Sequence, residues 1–409
     1  MNILVLNAGS SSQKSELYTL GETLPSEPPT PIWSAQLDWQ DADAAHLTVE
    51  TARGDRLEQE LTDISRSSAL SQLLSTLWQG PTQMIPNPQS IDGVGHRVVH
   101  GGQDYRASVI VTPEVKAAIA RLSNLAPNHN PANLEGIELM EQLLGDTPQV
   151  AVFDTAFHSQ IPAAAATYPG PYDWIEQDIR RYGFHGISHQ YCAHRAAQLL
   201  KRDLNELRLV VCHLGNGCSL SAVKGGRSID TTMGFTPLDG LMMGTRSGSV
   251  DPGILIHLMR QGYTADQLDP LLNKGSGLKG ISGLSHDWRQ IEQAISEGHD
   301  RAKLARDMYL HRLKASIGAM IMSLGGVDAI VFTAGIGEHA ASVRAAVGES
   351  LAFLDAQIDT TKNQAAPVDS DIATVDSTVR MLVIQTQEDW AIAQDCWHAI
   401  GQKAHGSRR

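Results

Sequence analysis

MNILVLNAGSSSQKSELYTL (residues 1–20) and LRLVVCHLGNGCSLSAVKGG (residues 207–226) carry the same outline. An apolar run enters a turn of small residues and leaves as a second strand, once in each half of the chain. The two copies lie about 200 residues apart, far beyond the ~20–50-residue period of solenoid repeats. The spacing therefore predicts two halves built alike. Residues 2–6 read as a buried strand ending in a tight turn, residues 14–20 as its partner, and the Pro-rich segment 21–31 as a surface excursion. Residues 328–332 again run as a strand into a glycine turn, TAGIGE, followed by a helix over 339–347. Further strands are expected at 150–153 and 379–385, and helices at 113–124, 189–200, 288–297, 302–324 and from Glu388 onward. Strands alternating with helices give an α/β chain in which each half is a sheet with helices packed on it. Ligands are expected between the halves, where glycine turns at strand ends bring backbone N–H groups close to phosphates.

The bulk numbers agree with two cores and narrow the partners. The 409 residues are 42% hydrophobic and 19% charged, ordinary globular usage in a chain too long for one core. Thirty-two Lys and Arg face 45 Asp and Glu, a formal net charge of −13, and no local basic run offsets it. Nucleic acid is a poor partner for such a chain, while a pocket with a few arginines remains open to small anions. Cys192, Cys212, Cys218 and Cys396 have neither CxxC pairing nor regular spacing, which predicts free buried thiols in a reducing compartment. The opening residues lack the basic start and long apolar core of a signal peptide, and no run is apolar enough to span a membrane; a cytoplasmic protein is expected.

No G-x-x-x-x-G-K-[ST] occurs, so the commonest triphosphate cradle is absent. The one GxGxxG, at Gly275, Gly277 and Gly280, follows LDPLLNK rather than a strand and reads as a flexible loop. Three other turns suit phosphate better: Asn7–Ser12, His213–Gly217 and Gly335–Glu338. Each offers backbone donors without bulk, and each is expected to follow a strand.

Two arginines suit the other end of an acid-phosphate reaction. Arg97 in GHRVVHGG precedes an apolar pair, and on a strand it would share a face with Val99, placing a guanidinium beside an apolar wall. Arg246 in MGTRSG sits between glycines that leave it room to reach a ligand, and its planar fork matches phosphate and carboxylate oxygens. His129, His185 and His213 lie in Asn-, Pro- and Gly-rich settings. For a Mg²⁺ ion, which favours one or two carboxylates plus phosphate oxygens and water, Asp154 and Glu388 follow strands in suitable places.

Taken in order, NAGSSSQK, GHRVVHGG, LAPNHNPAN, VAVFDTAFH, RRYGFHGISH, CHLGNGCSL, MGTRSGSVDP and FTAGIGE resemble the signatures of the acetate kinase family, from residue 2 to about residue 395. The resemblance implies the duplicated ribonuclease-H-like fold of the sugar kinase, Hsp70 and actin superfamily. It implies an N-terminal domain of residues 1–153 completed by 389–409, and a nucleotide-binding domain of 154–388. It further implies ATP/ADP and acetate/acetyl phosphate as substrates, Mg²⁺ (or Mn²⁺) as cofactor, and a homodimer. By resemblance, Asn7, Ser10, Ser12 and Lys14 lie near the phosphates, Asn216 lines their path, and Arg97 and Arg246 meet the acid and the moving phosphoryl group. His185 steadies the transition state, and Asp154, Glu388 and Asn7 sit near the metal. His129 and His213, the latter with Leu214, Gly215 and Gly217, line the site. Asp287, Trp288, Arg289, Gly335, Ile336 and Gly337 surround the nucleoside, and Val99, Phe184 and Pro237 wall the acyl pocket.

The chain departs from the family pattern in places. Asn128 stands for a usual leucine beside the acyl pocket, Trp288 for phenylalanine, Gln387 for a second carboxylate, His339 for asparagine and Ile187 for threonine. None removes an implied catalytic group. A propionate or butyrate kinase would use the same groups. A sugar or glycerol kinase would need a carboxylate base and fewer arginines, and an Hsp70- or actin-like ATP-binding protein would share the fold without the acid site.

Overall fold

The computed structural model describes residues 1–9, 12–41, 44–127, 129–365 and 368–406. The chain divides into two compact units, Met1–Ala156 with Gln387–Arg409, and Phe157–Thr386. The first unit holds one sheet of eight strands: β1 (Asn2–Ala8), β2 (Ser12–Thr19), β3 (Trp33–Asp41), β4 (Ala44–Thr51), β5 (Arg56–Thr62), β6 (Gly93–Val98), β7 (Val109–Ile110) and β8 (Gln149–Phe153). They run in the order β5-β4-β3-β2-β1-β6-β8-β7. β1 is antiparallel to β2, with Asn7 opposite Lys14, and parallel to β6, which is parallel to β8. Strands covered on both faces read as continuous apolar runs, and Ile3, Leu4, Val5 and Leu6 are all buried. In β3 and β4, by contrast, burial alternates: Trp33, Ala35 and Leu37 pack with Ala45, Leu47 and Val49 under the helix Arg66–Ser75, while the residues between them point outward.

The C-terminal helix Glu388–Gly406 lies against β6 because two glycines let it. A Cβ on Gly93 would come within 2.3 Å of Ile400, and one on Gly95 within 2.7 Å of Ile392. This contact ties the end of the chain to the first unit.

The second unit repeats the plan. Its strands are β9 (Arg208–Leu214), β10 (Cys218–Lys224), β11 (Arg227–Thr231), β12 (Ala329–Thr333), β13 (Ser370–Asp371) and β14 (Arg380–Val383), ordered β11-β10-β9-β12-β14-β13. β9 is antiparallel to β10 and parallel to β12, which is parallel to β14. The run β11-β10-β9-β12-β14 thus has the order and senses of β3-β2-β1-β6-β8 in the first unit, so the repeat read from residues 1–20 and 207–226 extends through five strands of each sheet. The helix Gly186–Leu200 covers one face, packing Cys192, Ala193 and Ala196 on Leu209, Val211, Val331 and Leu382. The helix Asp300–Leu324 ends at Gly325, whose φ of 70° supplies the left-handed cap that a β-carbon disfavours.

Several sequence expectations need correction. Residues 334–339 form a short helix, Ala334–His339, entered through Ala334 at φ 63°, rather than an open glycine turn. The following helix begins at Ala341, not His339. The glycines at 275–280 do not form a loose loop: Gly277–Ser282 is helical and donates backbone N–H groups to Met243 and Gly244. β3, β4 and β5 were not anticipated, since their half-polar alternation after the Pro-rich segment gives no apolar run to notice. No helix among the described residues is long and apolar enough to cross a membrane.

Candidate active site

In the first unit, the predicted residues converge on the ends of β1, β6 and β8. Arg97, next to last in β6, points its guanidinium at Asp154, which follows β8: Nε and Nη2 both donate to Asp154 Oδ2, at 3.1 and 2.6 Å. Its Nη1 donates to Asn7 Oδ1 at 3.2 Å, and Asn7 Nδ2 donates to Asp389 Oδ1 at 2.9 Å. Asp154 and Asn7 therefore fix the orientation of Arg97, and Asp389 holds Asn7. Burial opposes its charge, but Asp154, Glu388 and Asp389 outweigh burial and hold the guanidinium above its ordinary range. Asp154 Oδ1 is buried and has no hydrogen-bond partner among the described residues, an acceptor left open in a cluster dense with carboxylates.

The expected pairing of Arg97 with Val99 on one strand face does not hold, because β6 ends at Val98. Val99 is instead held just beyond it, its N–H donating to Asn133 Oδ1, while His100 exchanges backbone bonds with the Asn130 side chain. The segment around His129, which caps the helix Asn130–Leu144, thus braces GHRVVHGG. Ser12 opens β2, its carbonyl accepting from Gly9 N–H, and Lys14 is exposed on β2. Ser10 and Asn128 lie outside the described residues.

Asp389 and Glu16 join this cluster although sequence reading passed over both. Burial first, then Asp389, pushes the Glu16 carboxyl up to about 7. Burial also raises Asp389, with Glu388 adding to the rise. A carboxyl whose folded pKa exceeds its unfolded value stabilises the fold below the unfolded pKa, and that stability is lost as pH rises through the folded one. For Glu16 the window runs from about 4.5 to about 7. We expect the melting temperature of the metal-free protein to fall across that window by an amount equivalent to on the order of 3 kcal/mol. Glu16→Gln should flatten the fall, and a pH series of thermal melts on the two proteins checks it.

In the second unit, the histidines form a linked group. His185, in left-handed backbone at φ 58°, begins the helix Gly186–Leu200 and stacks on His213 of β9 with ring centroids 4.2 Å apart. Ser219 Oγ bridges His185 Nδ1 at 2.9 Å and His189 Nε2 at 2.7 Å. His158 donates from Nε2 to Phe184 O, and burial lowers its pKa to about 4, so it braces the Phe184 backbone as a neutral ring. Arg246 lies against the Pro237 carbonyl, 3.4 Å from Nη1. Gly217 permits the approach of Arg246 and His185 to the glycine turn: a Cβ there would stand 3.4 Å from both Arg246 Nη1 and His185 Nε2. Gly244 does the same for Asn216, whose Oδ1 would lie 2.2 Å from an added Cβ.

Leu214 ends β9, and Gly215 N–H turns back to the Gly217 carbonyl. Asp287 caps the helix Trp288–Ser296 and pairs with the exposed Arg289 at 2.6 Å, a bond that lowers its pKa. Trp288 is buried beside Tyr309. Gly335, Ile336 and Gly337 lie in the short helix described above, tied by the buried Arg344, which donates to the Gly337 and Glu338 carbonyls at 2.8 Å each. Among the described residues, no group of three His, Cys, Asp or Glu side chains is placed to cage a metal by itself.

Known proteins match this arrangement over its length. The model of the acetokinase family fits residues 2–394. The chain belongs to the acetokinase family. It is 68% identical to the acetate kinase of Acaryochloris marina over 97% of this chain and 99% of that one, and 60% identical to that of Nostoc punctiforme over 98% and 100%. Among solved structures, the acetate kinase of Porphyromonas gingivalis superposes with a TM-score of 0.89 at 39% identity, covering 98% of this chain and 99% of the other. A propionate kinase from Francisella tularensis gives 0.88 at 37%, covering 97% and 99%. The acetokinase chain thus has the duplicated actin-like fold, and it is a kinase whose acceptor is a carboxyl group.

The acetokinase motifs led to Arg97, His185 and Arg246 but not to what positions them. Asp389, Glu16, Ser219 and Ser188 carry no glycine turn or unusual spacing; only strand pairing and helix packing bring the first two to the Arg97 cluster of the first unit and the last two to the histidines of the second. One signal was available: Lys14 and Glu16 alternate on β2, so they share a face.

Proposed function

We propose that this chain catalyses the reversible transfer of the ATP γ-phosphoryl group to acetate, giving acetyl phosphate and ADP in one in-line step. The observation that carries the reading is the Arg97 guanidinium, fixed by Asp154 and Asn7 and held charged in a buried setting. Phosphoryl transfer asks for positioning and charge neutralisation rather than covalent help. A carboxylate with a pKa of about 4 is already a nucleophile at neutral pH, so no general base is required. Arg97 and Arg246 would orient the acid and neutralise charge on the transferring group, with Asp154 aligning Arg97. His185, oriented by Ser219, would donate to the equatorial oxygens in the transition state. Asn7, Ser10, Ser12, Lys14 and the turn Leu214–Gly217 with His213 would meet the phosphates. Asp287, Trp288, Arg289 and Gly335–Gly337 would hold the nucleoside, and Val99, His129, Phe184 and Pro237 the acyl group.

A Mg²⁺ ion, with Mn²⁺ as a substitute, fits the donor set of the first unit. The open Asp154 Oδ1 and the carboxylates of Glu388 and Asp389 crowd negative charge that a cation would relieve. Glu388 and Asn7 would hold it beside phosphate oxygens and water, and when bound it would neutralise charge on the β- and γ-phosphates. We also propose a homodimer working in the cytoplasm. The helix Pro252–Arg260 exposes Ile254, Ile256 and Met259, with Val250 and Tyr263 alongside, an apolar face that suits a second copy of the chain. The four cysteines are free and buried, as suits a reducing compartment. A propionate-preferring enzyme is the second reading, favoured by the likeness to the Francisella tularensis protein, since one methylene changes binding by only ~1–3 kcal/mol. Incubation with MgATP, hydroxylamine and formate, acetate, propionate or butyrate should trap a hydroxamate, most rapidly with acetate. No hydroxamate with any acid would refute the reading, and a faster rate with propionate would move the chain to the second one.

A further inference from the structure

The chain leaves the second unit at Thr386, and the bonds around this residue reach from the short helix Ala334–His339 to the stacked histidines. Glu338 Oε1 accepts from two backbone N–H groups, Ala334 at 2.9 Å and Thr386 at 3.0 Å. One carboxylate oxygen thereby pins the end of β12 to the segment after β14, next to the strained Ala334. Arg344 holds the same short helix from its other end through the Gly337 and Glu338 carbonyls. From Thr386 the side chain continues inward: its Oγ1 lies 3.1 Å from Ser188 Oγ, which lies 2.8 Å from His213 Nδ1. Ser188 is fully buried, and His213 stacks on His185.

A hydroxyl has one proton, so the direction of this chain of bonds sets the histidine tautomer. His213 Nε2 lies on the side of the glycine turn, 3.7 Å from where a Cβ on Gly215 would stand. A neutral ring that presents N–H there must accept at Nδ1. Ser188 then donates to Nδ1 and accepts from Thr386, and every proton in the chain points toward His213. We infer that Thr386 and Ser188 are positioning residues that hold His213 with its proton on Nε2, directed at the His213–Gly217 turn, with Glu338 fixing Thr386 in place. The inference deepens the phosphotransfer reading and rests on it for its effect on rate. It also gives the short helix Ala334–His339 a physical route to the histidine pair through atoms in contact.

The test combines ¹⁵N NMR of histidine-labelled enzyme without substrate, the His213 resonances being assigned by their loss in His213→Gln, with steady-state kinetics. The wild type should show the Nε2–H tautomer. Ser188→Ala should mix the tautomers and lower kcat about tenfold with KM for ATP within threefold, the split expected when a group acts mainly in the transition state. Thr386→Val should lower kcat three- to tenfold, and Thr386→Ser, which restores the hydroxyl, should recover it. An unchanged tautomer in Ser188→Ala, an unchanged kcat beside a changed tautomer, or no recovery in Thr386→Ser overturns the assignment. The tautomer is read without turnover, so a wild type that forms no acyl phosphate refutes the proposed reaction while the ¹⁵N pattern still decides the hydroxyl chain.

Discussion

Arg97→Ala and Arg246→Ala should each lower turnover by about 10²–10³, the scale for losing one preorganised electrostatic partner in a catalytic site. The two losses should differ in character. Arg97 is held by Asp154, Asn7 and the carboxylate field of Glu388 and Asp389, so its removal also leaves Asp154 Oδ2 without its donors. Part of the Arg97→Ala effect is therefore the cost of an unpaired buried carboxylate. Arg97→Ala/Asp154→Asn should be more stable to heat than Arg97→Ala alone, yet recover little activity, because the missing group is the guanidinium. Arg97→Lys should stay far below wild type, since an ammonium cannot hold Asp154 and Asn7 while presenting a planar fork to the substrate. Steady-state rates and thermal melts on the four variants separate these contributions, and a loss below about tenfold in either single alanine variant defeats the assignment.

The largest expected effect on stability comes from Arg344, fully buried and with no carboxylate partner among the described residues. Burial lowers its pKa to about 10, so the site bears a cost for the charge. Four hydrogen bonds offset it: Nε to Asn363 Oδ1, Nη2 to Asn363 O, and Nη1 to the Gly337 and Glu338 carbonyls, each at 2.8 Å. Arg344→Leu removes the charge but strands four acceptors, and unsatisfied buried groups cost about 1–3 kcal/mol each. Set against relief of the buried charge, a net loss of roughly 3 kcal/mol is expected. Arg344→Lys should do little better, because three donors on a flexible stem cannot reproduce a fixed fork. Denaturant unfolding measures both, and an Arg344→Leu protein as stable as wild type would contradict this account.

The legible parts of the chain and the hidden ones differ for a physical reason. The duplication was visible because a strand buried on both faces must be an unbroken apolar run, as 3–6 and 209–212 are, and a turn that meets a ligand must be small. The helices expected at 113–124, 288–297 and 302–324 are found as Pro113–Arg121, Trp288–Ser296 and Asp300–Leu324, each end within three residues of the expectation. β3 to β5 stayed hidden because only one face is buried. TAGIGE looked like a turn because glycine is permissive, whereas Arg344, bonded to the Gly337 and Glu338 carbonyls, holds it as a helix. Among the candidate functional groups, those on glycine turns could be found from sequence. Glu16, Asp389, Ser188 and Thr386 could not, because their significance comes from partners brought near by the fold: Asp389 reaches Asn7 across 382 positions of sequence.

The central claim is that the acid's own carboxylate attacks the γ-phosphorus of ATP. Its most direct test follows ³¹P NMR of a reaction containing MgATP and acetate labelled with ¹⁸O at both oxygens. The account predicts acetyl phosphate appearing in step with ADP and carrying one ¹⁸O bonded to phosphorus, seen as an isotope shift of its resonance. ADP release without acetyl phosphate, or acetyl phosphate with no ¹⁸O on phosphorus, would contradict it.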